Sequence, residues 1–165
     1  MLFENYRLDI LDIENGKCST KLTPIDNNKS EALKKSRRKI YIVSNGETIL
    51  YVGETNTSMK TRFQRSSTSY NFFKINKVTR GGYKGYKWLD PENNSIRKLI
   101  LHVVIFNSDY DSKEKRSEIE AIEGELVYEI KNKTSSWPTW QNEIHFSNVI
   151  GANEKAKQIL EAFGL

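Results

Sequence analysis

Residues 39–53, KIYIVSNGETILYVG, read as two β-rich runs, 39–44 and 48–54, that meet at Ser44-Asn45-Gly46. Asn-Gly between alternating apolar residues is the strongest short-range hairpin signal. Its register decides whether Tyr41 and Tyr51 share a face, because successive strand side chains alternate. A plain two-residue turn at Asn45-Gly46 pairs Tyr41 with Leu50 and sends the tyrosines to opposite faces. A three-residue loop with Gly46 left-handed pairs Val43 with Glu47 and Tyr41 with Ile49, leaving Tyr51 diagonal to Tyr41 on the same face. A common site for the two phenols therefore demands the odd loop. Gly53 would then share that face and leave it open to a close approach.

Working outward, residues 1–13 alternate loosely and predict a strand, with Asn15-Gly16 as a turn signal. Residues 24–32 read as a loop entering a short helix. Asn56 or Thr57 is placed to cap a helix running to about Arg65. The polar and aromatic stretch 66–88, broken by Gly81-Gly82 and Gly85, reads as an ordered loop or small hairpin. Residues 97–106 are almost wholly apolar, which predicts a central strand. A long helix covers about 112–132, and SSWPTWQN follows as a loop pinned by Pro138. Asn153 is the expected cap of a final helix stopped by Gly164. The fold expected is α+β: a small three-stranded, mainly antiparallel central sheet flanked by helices, with an N-terminal extension.

The long helix carries one anomaly. Ile119, Ile122, Leu126, Val127 and Ile130 fill one sector of the wheel, and Glu123 falls inside it. An unpaired buried carboxylate costs several kcal/mol, so Glu123 must be paired, protonated or metal-bound. From the pattern alone, an ion pair with Arg62 or Arg97 competes evenly with a functional role. No His/Cys/Asp cluster offers a zinc site, and His102 and His145 stand alone.

Charge bounds the partners. Lysine and arginine number 26 against 21 acids, a net charge of +5. The excess gathers at 34–39 and at 74–98, where seven basic residues face two acids, while 109–133 is acidic. Clustered cations suit a polyanion, although ordinary solvated surface explains the composition slightly better. Between Gly81 and Trp88, GGYKGYKW interleaves aromatics with lysines, a mixture that can grip phosphates and stack on bases or simply cover the core. Cys18 is the lone cysteine, which excludes an internal disulfide and fits a reducing, cytoplasmic setting. The first twenty residues mix acids and bases and do not read as a targeting segment. The longest apolar run, LILHVVIF at 99–106, falls far short of the roughly 20 residues of a membrane span.

Taken in order, Tyr41, the YVG of Tyr51–Gly53, Arg62, Glu123 within E-x-x-Leu-Val, and Asn142 resemble the GIY-YIG nucleases. The likeness covers roughly residues 39–142. It implies one domain over 1–165, with 1–38 as an N-terminal extension, 39–142 as the core, 66–96 as an insertion and 143–165 as a C-terminal helix. Three positions depart from the family pattern: Lys39 stands for the first motif's glycine, Ser66 for a His or Tyr, and Glu54 where some relatives carry a cation. What the resemblance implies is a divalent-metal-dependent DNA endonuclease, restriction or defence in type, acting on double-stranded DNA as a homodimer. Tyr41 would be the general base, and Tyr51 would hold the attacking water or the phosphate. Arg62 would neutralise developing charge, Glu123 would hold Mg²⁺ (or Mn²⁺), and Asn142 would brace the site. Mg²⁺ suits a single-carboxylate site because it keeps waters and takes phosphate oxygens as further ligands. Lys39, Arg65, Arg80, Lys84 and Lys87 are the cations expected along the nucleic acid. The alternatives are a non-catalytic nucleic-acid-binding module on the same scaffold, a monomeric repair or mobile-element nicking nuclease, and an unrelated α+β protein.

Overall fold

A computed structural model describes residues 1–25, 30–79, 87–92, 94–141, 144 and 146–165, and for Lys87 the backbone only. The strands are β1 (Leu2–Ile13), β2 (Lys17–Pro24), β3 (Lys39–Ser44), β4 (Ile49–Thr55) and β5 (Lys98–Ile105). The helices are α1 (Met59–Asn76), α2 (Arg116–Thr134) and α3 (Ala152–Phe163). The class is α+β. The sheet is open and antiparallel, with five strands in the order β2-β1-β5-β3-β4 rather than the three expected. The two additional strands come from 1–38, which is no appendage: β1 lies inside the sheet. Asn15 and Gly16, with φ of 63° and 68°, turn β1 back into β2. Glu4, 3 % exposed, anchors the following segment by accepting from the backbone N–H groups of Glu31 and Ala32 at 3.0 Å each.

Each sheet face carries its own core. Tyr41 and Val43 of β3 pack with Phe63 and Tyr70 of α1 on one face. Ile40 and Ile42 pack with α2 and α3 on the other. The apolar run in β5 places it in the middle of the sheet, covered on both sides, as its composition predicts. Both sheet edges are guarded. Thr139 and Trp140 donate backbone N–H groups to Ile49 and Leu50 carbonyls of β4, at 3.2 and 2.8 Å. Along β2, the Asn71 side chain bonds both the N–H and the carbonyl of Cys18, at 2.8 and 2.9 Å. Such caps blunt unpaired strand edges.

Helix limits differ from those expected. Ser58, not Asn56 or Thr57, caps α1 by accepting from Thr61 N–H at 3.1 Å. The helix runs on to Asn76, through the stretch read as loop. Its polar run hides a core face: Ser66 and Ser67 bond back to the Arg62 and Phe63 carbonyls, while Phe63 and Tyr70 stay buried. The glycine-rich part of that stretch, 80–86, lies outside the described residues. α3 starts after Gly151 instead of Asn153. The Asn153 amide instead clasps α3 to α2 by donating to Glu125 and Glu129 at 3.0 and 2.8 Å. His102 is buried against the Phe163 ring, which lowers its pKa to about 4 and keeps it neutral. No described helix is long and apolar enough to cross a membrane.

Candidate active site

The β3–β4 hairpin brings the two tyrosines together by a different route from the odd loop. Asn45 opens a four-residue turn: its N–H bonds the Thr48 carbonyl at 3.1 Å and its side-chain oxygen accepts from Glu47 and Thr48. That turn pairs Ser44 with Ile49. A bulge then shifts the register, so Val43 pairs with Tyr51 and Tyr41 with Gly53. The extra residue restores the parity that the even loop removes. Tyr41 and Tyr51 therefore share the α1 face, with ring centroids 5.9 Å apart. The pairings Val43–Glu47 and Tyr41–Ile49 do not occur.

Aromatic packing fixes Tyr41 from below. The Phe63 ring meets it edge-on at 5.7 Å, and Trp88 meets Phe63 at 5.5 Å. Each such pair contributes about 0.5–1.5 kcal/mol beyond burial. Tyr41 is 2 % exposed, and its hydroxyl accepts from Arg62 Nε at 2.9 Å. Arg62 sits one turn beyond the Ser58 cap, so the capped start of α1 sets where the guanidinium stands.

Gly53 explains the tightness. A methyl there would stand 2.6 Å from Tyr41 Oη and 2.7 Å from Tyr51 Cε1. Both phenols lie over the bare backbone, so room opened by the missing side chain is taken by the rings. Gly53→Ala should therefore displace Tyr41 and destabilise the chain by about 1–3 kcal/mol, as overpacking does. Urea unfolding would measure the loss. An alanine variant as stable as the parent would contradict this packing.

Glu123 lies partly buried on α2, the helix against the opposite face of edge strand β4. Burial raises its carboxyl to about 8; the negative charges of Glu54 and Glu120 push the same way, and Arg62 alone opposes them. Arg62 therefore bonds Tyr41 and bears electrostatically on Glu123, although the phenols lie on the α1 face of the sheet and Glu123 belongs to the helix against the other face. The even choice between an arginine partner and another role takes a definite form: no direct ion pair to Glu123 forms among the described residues, and Arg97 turns to Asp12 and the Leu89 carbonyl.

Sequence reasoning missed Glu54 as part of this group. It is paired opposite Ile40 and so faces α2, where it meets the nearly buried Arg38 at 3.5 Å and Arg116 at 3.9 Å. Strand alternation after Gly53 was the available signal. Gln141 was also missed; its side-chain oxygen accepts from Val52 N–H at 3.1 Å and ties the Pro138 loop to β4. No signal in the sequence marks it.

Arg65 is exposed on α1. Asn142, Arg80, Lys84 and His145 lie outside the described residues, and Lys87 begins a short turn, Lys87–Leu89. Lys39 requires correction as a nucleic-acid contact. It is fully buried and donates to the Ser36, Arg37 and Thr57 carbonyls at 2.9, 2.8 and 3.2 Å. Burial pulls its ammonium down to about 8. Ser36 and Arg37 are left-handed, with φ of 66° and 68°, so this ammonium holds a strained bend. Lys39→Ala should cost about 2–4 kcal/mol through stranded carbonyls and a cavity. DNA affinity of the folded fraction should stay unchanged, and a clear drop in affinity without loss of stability would restore the contact role.

Among the described residues, no three His, Cys, Asp or Glu side chains converge as a metal cluster. The donors present nonetheless fit a hard divalent cation. Glu123 offers carboxylate oxygens in a half-buried setting, beside Glu54, whose buried Oε2 is ion-paired with Arg38 at 3.5 Å. Comparison with protein-family models, with curated proteins and with solved structures returned no match.

Proposed function

We propose that this protein is a divalent-metal-dependent DNA endonuclease of the GIY-YIG kind. The observation that carries the reading is the convergence on Arg62: its guanidinium donates to Tyr41 at 2.9 Å and bears electrostatically on Glu123. Phosphodiester hydrolysis needs a deprotonated water, stabilisation of the charge that develops at phosphorus, and a leaving oxygen whose charge is offset. Arg62 stabilises negative charge on the Tyr41 oxygen, which suits Tyr41 to take a proton directly or through a water. The same guanidinium is a fork matched to phosphate oxygens. Tyr51, only partly buried, presents a hydroxyl to the attacking water or the phosphate. Glu123, with Glu54 beside it, would hold Mg²⁺ or Mn²⁺, which supplies a Lewis acid for the leaving oxygen. By resemblance, the product ends are 5′-phosphate and 3′-hydroxyl, and the setting is restriction or defence.

Supercoiled plasmid with Mg²⁺ or Mn²⁺, wild type beside Glu123→Ala, tests the reading. Nicked or linear product from the wild type alone supports it, and linear product would favour paired cutting by a homodimer. DNA binding without cleavage in any divalent metal would overturn it in favour of a binding module on this scaffold.

A further inference from the structure

We propose a second nucleic-acid contact surface, separate from the candidate active site: the sheet face formed by β2, the second half of β1 and the start of β5, on which no described helix packs. Register assigns its residues. Phe3, Asn5, Arg7, Asp9, Leu11 and Ile13 point to the α2/α3 side of β1, with the partners Lys98 to Val104 of β5 and Lys17 to Thr23 of β2 on the same side at alternate positions. The helices cover only one end of this face, where the Phe163 ring meets Phe3 at 5.4 Å and His102 at 4.9 Å. Beyond Asn5 no described helix packs on it: Leu11 and Ile13 are 46 % and 48 % exposed.

The charge on this open half is mainly positive. Lys21 and Lys98 flank Asp9 in one row across three strands, and both are exposed. Lys17 lies further along β2, and Arg7 is half-exposed beside them. Asp9, the carboxylate among them, is already engaged by Arg7 Nε at 3.0 Å. With strands about 4.8 Å apart, Lys21 and Lys98 stand about 10 Å from each other; Lys17 is about 13 Å along the strand from Lys21. Cations at that spread match successive backbone phosphates around a groove better than one small anion. Strand addition by a second copy is disfavoured here. Asn71 already fills the hydrogen-bonding positions of Cys18 on the β2 edge, and Pro24 ends the strand without an N–H. The surface lies at the far edge of the sheet from Gly53, so the two regions can be altered independently.

The test is fluorescence anisotropy of the full chain with a labelled duplex, in chelator so that no cleavage intervenes, over a salt series. Lys17→Gln/Lys21→Gln/Lys98→Gln should flatten the log–log salt dependence by about 0.9 for each phosphate left without its lysine, about two to three in all. Lys113→Gln/Lys131→Gln/Lys157→Gln, an equal charge change on α2, α3 and the turn before α2, should leave the slope alone. Circular dichroism checks that both variants fold. An unchanged slope overturns the proposal, as does an equal shift in the two variants, which would reduce it to net charge. Patch-dependent binding to anionic phospholipid vesicles without an effect on duplex, or patch-dependent self-association in sedimentation, also overturns it. Because no step of the assay requires catalysis, the absence of plasmid cleavage would leave this measurement intact.

Discussion

Glu123→Ala should lower metal-dependent plasmid cleavage by about three orders of magnitude or more while leaving DNA binding nearly intact. A Lewis acid contributes several kcal/mol to transition-state stabilisation, and each 1.36 kcal/mol is tenfold in rate. On the proposed reading Glu123 holds the ion, so its loss should forfeit most of that contribution. Cleavage at the parental rate would remove the residue from the mechanism. A second measurement reports on the same side chain without catalysis. Burial raises the Glu123 carboxyl to about 8. The folded, metal-free chain thus keeps a proton that the unfolded chain releases near the ordinary carboxylate value. The resulting stabilisation is complete below that ordinary value and is lost as pH rises through 8. Glu123→Gln, permanently neutral, escapes the loss. In chelator, its thermal midpoint relative to wild type should climb between about pH 5 and pH 8. A pH-independent difference would mean that the carboxyl is not held in a desolvated environment.

Why some of this was legible and some was not follows from which forces leave a mark in sequence. Period is read well: the apolar run of β5, the α2 stripe with Glu123 inside it, and the hairpin strands all follow from side-chain alternation. Turn chemistry is read less well. Asn45-Gly46 marks the hairpin, but the bulge that pairs Tyr41 with Gly53 depends on how β4 meets its neighbours, which no local rule supplies. The same holds for α1 beyond Arg65, where serines that resemble loop residues satisfy themselves on the preceding turn. β2 escaped because its outward residues are polar and its inward ones few: Cys18, Thr20 and Leu22. Lys39 shows the limit of counting charge, since a basic cluster in sequence does not say which ammonium the fold will bury. Glu54 was read only as a departure from a motif, because its neighbours Arg38, Arg116 and Glu123 come from three separate stretches.

Tyr41→Phe tests the other half of the chemistry and removes a single oxygen. The ring keeps its packing on Phe63 and Tyr51, so stability should change by about 1 kcal/mol, the net worth of one hydrogen bond. Cleavage near neutral pH should fall by about 10²–10⁴, the contribution of a positioned general base. The direction of rescue discriminates further. If the Tyr41 oxygen takes the proton from water, hydroxide can replace it, so the deficit should narrow as pH rises toward 10. If the hydroxyl serves only to orient Arg62, the deficit should persist at all pH values, and Arg62→Lys should reproduce it. Tyr51→Phe gives the internal control: on the proposed reading its hydroxyl has no base role, so the substitution should cost less. Full activity in Tyr41→Phe together with a dead Tyr51→Phe would exchange the two roles. Near-parental activity in both would leave Arg62 and Glu123 without a partner base, and water activation would have to come from a carboxylate.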